Sequence, residues 1–314
     1  MEPKRLALIG AAAVPLLLLW RRRRLWRLLD VVHVPAKSET GKPAVVLIPG
    51  MWHGAWFFEA LQQLLADRGF ASYAIDLQPG RCIFAADHLA MLSRTLDQLA
   101  LKQAVFLGHS QGGILLQRLM RDYVPQNPSC MLAAVLSATV PISSVGAGTA
   151  MMNEKTNVFK EHGFVALLFY LFTGRMWDSS LVQRIFLLPT TESISLPGGK
   201  EGYVKRLLAA PCDGWPTTEH PFWLRPSFPA MRHKPVLLLG AEADVIYPPK
   251  ALNPYFRKYF AQAEEMQITA GMLRLSEIAR NWWFRVKLIA LWIRDGKRQW
   301  QSPCFAGSRA SHID

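Results

Sequence analysis

Gln103-Ala-Val-Phe-Leu-Gly108-His109-Ser110-Gln111-Gly112-Gly113 is the stretch on which the fold turns. Three apolar residues, Val105-Phe106-Leu107, run into Gly-x-Ser-x-Gly, and an apolar helical pattern follows over 114–120. A bare Gly-x-Ser-x-Gly arises by chance in many chains. Between a strand and a helix it has a physical purpose: Gly108 and Gly112 leave room where strand and helix nearly touch, and Ser110 is pushed out at the carboxyl edge of a sheet. There the positive end of the helix dipole favours developing negative charge, and the N–H of Gln111 points to the same space. The bland alternative is a structural glycine turn.

Outward from this point the chain alternates short apolar runs with helical spacing. Strands are expected at 44–48, 72–77, 104–107, 132–137, 236–239 and 265–268, with helices near 55–68, 85–99, 112–123, 250–260 and 279–294. Alternation of that kind predicts an α/β fold with a mainly parallel sheet and flanking helices. Residues 144–234 break it. Short helical segments near 164–172, 181–187 and 203–209, separated by Pro and Gly, predict a helical lid insertion. Its aromatics (Phe159, Phe164, Phe169, Tyr170, Phe172, Trp177) either face an apolar substrate or only pack the lid onto the body.

Composition excludes several classes. The 314 residues are 51% hydrophobic and 19% charged, with mean hydropathy +0.11, too apolar for a disordered chain. Cys82, Cys130, Cys212 and Cys304 form no Cys-x-x-Cys, so a disulfide framework or a zinc site is not expected. Neither a phosphate-binding loop nor a dinucleotide fingerprint is present, and no cofactor or metal is implied. The net charge of +13 is concentrated at the ends: residues 1–30 and 280–314 each carry seven Lys/Arg against two acids. Such a distribution suits an anionic membrane surface, not a nucleic-acid-reading face.

Residues 6–20 are uncharged and lie between Lys4-Arg5 and Arg21–Arg24. At about 1.5 Å per residue they span roughly 22 Å, short of a ~30 Å hydrocarbon core unless flanking arginines snorkel. A signal peptide lacks four arginines directly after its apolar stretch, and a transit peptide is amphipathic. The expectation is a single-pass signal anchor over 1–30, with the heavier positive flank placing the body on the cytoplasmic side. The body is then 43–294, and 295–314 is a polar tail expected to be disordered.

Val45-Val-Leu-Ile-Pro49-Gly50-Met51-Trp52-His53-Gly54-Ala55-Trp56 is a strand that ends in Pro-Gly and a loop able to aim a backbone N–H inward. His53, at a helix start, reads as loop packing and not as a base. Taken in order with Gly-His-Ser-Gln-Gly-Gly, this segment resembles the α/β-hydrolase superfamily, closest to its esterase and hydroxynitrile-lyase-like branch. The resemblance covers about 43–294. It implies oxyanion donors on the backbone of Met51 and Gln111, although the usual His-Gly of that loop is Pro49-Gly50 here. It also implies a catalytic acid on the loop after Val236-Leu-Leu-Leu-Gly240, where Asp244 fits before Val-Ile-Tyr-Pro-Pro and Glu242 is less well placed. The substrate it implies is an apolar ester or lipid, cleaved through an acyl-serine.

One part is missing. The resemblance calls for a Gly-His segment after the last strand, because a serine hydroxyl needs a base to attack. The sequence there reads Gln267-Ile-Thr-Ala-Gly271-Met272-Leu273. Either Met272 replaces the histidine or residues have dropped out beside it. His33, His53, His88, His109, His162, His220, His233 and His312 offer no substitute at that place. A serine esterase and a catalytically impaired hydrolase fold that binds an apolar ligand or a partner therefore both stay open.

Overall fold

A computed structural model describes residues 28–38, 41–77, 85–142, 147, 199–209, 227–244 and 247–271. Seven strands form one sheet: β1 (Asp30–Val34), β2 (Ala44–Ile48), β3 (Ser72–Asp76), β4 (Ala104–His109), β5 (Met131–Ser137), β6 (Val236–Ala243) and β7 (Glu264–Gly271), in the order β1-β3-β2-β4-β5-β6-β7. All neighbours are parallel except β1, which pairs antiparallel with β3. Five helices are described: α1 (Glu59–Asp67), entered through a 3-10 turn at Ala55–Phe58, α2 (Ala85–Leu99), α3 (Gln111–Asp122), α4 (Gly199–Ala209) and α5 (Pro249–Arg257).

The six expected strands are present, and the expected helices are those of the structure wherever it describes them. β1 is an addition to the expected set. It is a half-exposed edge strand, with Val32 at 49% exposure, and its cross-strand pair His33–Tyr73 stacks at 4.4 Å. The Gln62 amide donates to the carbonyl of Val32 and ties this edge to α1.

Side-chain alternation in the central strands builds two cores. Val45, Leu47, Val105, Leu107 and Val135 face α1 and α4, where Phe58, Leu61, Leu65, Tyr203 and Leu207 cover them. Val46, Ile48, Phe106, Ala134 and Leu136 face the opposite way, under Leu92 of α2, Leu115 and Leu119 of α3 and Phe256 of α5. Burial on both faces is what makes these strands read as near-continuous apolar runs.

Among the described residues no helix is long and apolar enough to cross a membrane. The expected anchor at 6–20, the lid segments 164–172 and 181–187, the helix 279–294, Met272 and the tail all lie outside the described residues. From the insertion, α4 is described, and it packs through buried Tyr203, Val204 and Leu207.

Candidate active site

Because β2 to β7 run parallel, their carboxyl ends share one edge, where such sheets place ligand sites. Ser110 leaves β4 there and caps α3 with φ 52 and ψ −119, a left-handed conformation costly for a residue with a Cβ. The surroundings hold it. Its N–H donates to the carbonyl of Ser137 at 2.9 Å, and its own carbonyl accepts from Gly113 N–H at 3.0 Å and from the Thr139 hydroxyl at 2.7 Å. A Cβ on Gly112 would stand 2.1 Å from the carbonyl oxygen of Ile48, and one on Gly108 2.5 Å from that of Gly112. Both glycines are therefore required by close approach of backbone to backbone.

Thr139, which carries no motif in the sequence, belongs to this support. The segment after β5 is in turn fixed by buried Gln117, whose amide donates to the carbonyls of Gly113 and Val140 while its oxygen accepts from Ile142 N–H.

The loop after β2 lies directly against the serine. A Cβ on Gly50 would come within 2.8 Å of the Ser110 Cβ. Gly50-Met51-Trp52-His53 is a turn closed by His53 N–H to Gly50 carbonyl at 3.2 Å, with Trp52 left-handed at φ 61, as the third residue of a type II turn requires. A trans peptide points its C=O and N–H in opposite directions. With the Gly50 carbonyl turned into the turn, the Met51 N–H faces out of it. Gln111 is the first residue of α3, so its N–H has no acceptor within the helix. The two expected donors thus start from backbone that flanks Ser110.

His53 braces this turn. Its Nδ1 meets the Met51 carbonyl at 2.7 Å and its Nε2 the Tyr203 hydroxyl at 2.8 Å. A carbonyl only accepts, so Nδ1 carries the proton and Nε2 accepts from Tyr203. Burial lowers this imidazole to about 4, keeping it neutral. Both ring nitrogens are engaged, in keeping with a packing role. His109 is also buried, packs on Phe57 at 4.9 Å and is pushed down to about 3 by burial and by nearby His53. His233 precedes β6 and so lies at the amino ends of the strands, opposite Ser110. His162, His220 and His312 are outside the described residues.

Asp244 follows β6 directly and is 2% exposed. β6 is two strands from β4, about 10 Å by ordinary strand spacing. Tyr247, which in the sequence reads as one more apolar residue before Pro-Pro, lines a cleft beside Ala138 and Thr139. Its N–H donates to Asp244 Oδ1 at 2.7 Å. At the far side, Gly271 ends β7 in register with Ala243, the neighbour of Asp244. Among the described residues no histidine hydrogen-bonds to Ser110.

No curated protein matches the sequence. Among solved structures, a thermophilic esterase from Thermogutta terrifontis is similar at TM-score 0.60 and 19% identity, covering 85% of this chain and 94% of its own. A structure from a study of carboxylesterases of the thaumarchaeon Nitrososphaera matches at TM-score 0.62 and 15% identity, over 85% of this chain and 95% of the other. A point mutant of an epoxide hydrolase from Bacillus megaterium matches at TM-score 0.62 and 9% identity, over 85% and 96%. At such identities these likenesses establish the fold alone. The model of the alpha/beta hydrolase family matches residues 45–275, from β2 past the end of β7, and the chain belongs to that family.

Proposed function

We propose that this chain is a membrane-anchored serine hydrolase that cleaves an apolar carboxylic ester or lipid through an acyl intermediate on Ser110. The observation that carries the reading is the strained serine at φ 52, at the sheet's carboxyl edge and the start of a helix, with the Gly50-Met51 turn packed on it. In this reading the Ser110 Oγ attacks the ester carbonyl. The N–H groups of Met51 and Gln111 take the oxyanion, donors of a kind worth roughly 2.7–4 kcal/mol each. The proton leaving Oγ passes to a base, and Asp244 is the carboxylate that would orient that base and stabilise it once protonated. The esterases among the structural neighbours agree with this chemistry, and the anchor is assigned to the apolar run 6–20 with its basic flanks, the body facing the cytoplasm.

Turnover of short-chain p-nitrophenyl esters by the full chain, compared with Ser110→Ala, tests the reaction. Slow hydrolysis that disappears in Ser110→Ala is expected; hydrolysis that survives would remove Ser110 from the mechanism. For the anchor, deletion of residues 1–30 should release the body from membranes, and a deletion variant that resists a carbonate wash would contradict it.

A second reading is favoured by Met272, which stands where the resemblance calls for histidine. Under it the fold is catalytically impaired and binds an apolar ligand or a protein partner. Absence of any Ser110-dependent turnover, together with retained binding of a fatty acyl chain, would select it.

A further inference from the structure

Met51 sits between two peptides, and His53 holds both. Its backbone N–H donates to the Gly50 carbonyl at 3.2 Å, which fixes the peptide carrying the Met51 N–H. Its ring Nδ1–H donates to the Met51 carbonyl at 2.7 Å, which fixes the peptide that follows. That second peptide is the one whose reversal separates a type II turn from a type I turn. Type I would return Trp52 from φ 61 to a negative φ, so a tryptophan here favours the reversal and the His53 ring opposes it.

The brace works in one tautomer and one ring plane only. A bare Nδ1 would turn its lone pair on the Met51 carbonyl oxygen and repel it. The ring is held from its other side by a residue 150 positions away, the Tyr203 hydroxyl at 2.8 Å from Nε2. Burial raises this phenol well above its ordinary range, so it keeps its proton and donates it to the neutral imidazole. Without that donor the buried Nε2 is left unsatisfied, a cost that turning the ring would relieve. Tyr203 comes from α4, within the 144–234 insertion; it is 0% exposed and packs on Trp56 at 5.7 Å between ring centres.

We propose that Tyr203 is a positioning residue for the reaction at Ser110: through His53 it keeps the Met51 N–H aimed at the oxyanion, which makes α4 part of the active-site frame. The inference rests on the reading that Ser110 is the nucleophile and Met51 an oxyanion donor. Phenol, imidazole and carbonyl form one chain of donation among buried groups, where each bond strengthens the next. At the end of that chain, misplacing the donor by about 1 Å can cost about 100-fold in rate. Tyr203 acts on the turn and not on the substrate. Its effect is therefore felt where negative charge develops on the carbonyl oxygen, in the transition state, and hardly at all in substrate binding.

The experiment is p-nitrophenyl ester hydrolysis by the full chain, with Ser110→Ala as the blank and circular dichroism to monitor the fold. Tyr203→Phe, which removes a single oxygen, is expected to lower kcat at least about tenfold with little change in KM. 4-Aminophenylalanine at 203, which donates to Nε2 from the same place, should restore most of the rate. In a His53→Ala background, Tyr203→Phe should cost nothing further in kcat, because the route from the phenol to Met51 is already cut. A folded Tyr203→Phe variant with the original kcat overturns the inference while leaving Ser110 as nucleophile. An amine that does not rescue, or a loss of equal size with and without His53, does the same. Absence of Ser110-dependent turnover in the unmodified chain overturns the inference together with the reading beneath it.

Discussion

At the end of β4 the candidate nucleophile is positioned almost wholly by backbone. Ser110 is pinned through its own N–H and C=O, and Gly108 and Gly112 face backbone carbonyl oxygens. At the end of β6 the corresponding work falls to side chains. Asp244 takes the N–H of Tyr247 and Gly240 faces the ring of Pro249, and in the sequence Met272 follows the last strand where the resemblance calls for histidine. Backbone packing cannot drift without the sheet itself changing, whereas a side-chain arrangement can be rewritten one residue at a time. In the proposed reading, the serine's half keeps its backbone frame while the acid's half carries Met272 where the resemblance calls for histidine.

Substitutions sharpen the contrast. Gly112→Ala forces a Cβ against a strand carbonyl that has nowhere to go, and loss of folding, or of roughly 4 kcal/mol or more, is expected in a urea titration. Met272→His addresses the altered half. If the serine's side is intact it should raise kcat about 10²–10⁴-fold and give a pH profile that levels off near neutrality. An unchanged rate would mean that the two halves differ in more than the base.

Acid should act on the serine's side. His53 and His109 have folded values of about 4 and about 3, below the ordinary 6.5, so the unfolded chain binds more protons between those limits. Their contribution is complete above pH 6.5 and is lost as the pH falls toward 4 and then 3. The loss is on the order of 3 kcal/mol for His53 by pH 4. Urea midpoints between pH 7.5 and 4.5 should fall accordingly, and His109→Phe should flatten the decline. The smallest effect belongs to Gly240→Ala, whose Cβ meets Pro249 Cγ at 2.5 Å. Since that neighbour is a side chain at the edge of a cleft, about 1–3 kcal/mol is expected. A cost equal to that of Gly112→Ala would erase the distinction.

The sequence made some of this legible. The serine turn shows because close backbone approach admits only glycine, and that demand is local. The central strands show because they are buried on both faces. β1 does not: Asp-Val-Val-His-Val is half exposed, and its pairing with residues 72–76 lies some forty positions away. The left-handed Trp52 carries no signature, since glycine or asparagine is the usual occupant and here the His53 brace imposes the turn.

The most direct test of the central claim is covalent. The full chain incubated with a fluorophosphonate, then digested with trypsin, yields Ser110 in the peptide from Gln103 to Arg118. The account predicts the phosphonyl adduct on Ser110, formed faster as the pH rises from 7 to 9 and absent from Ser110→Ala. A natively folded chain that takes no label, or takes it on another residue while Ser110 stays unmodified, would contradict it.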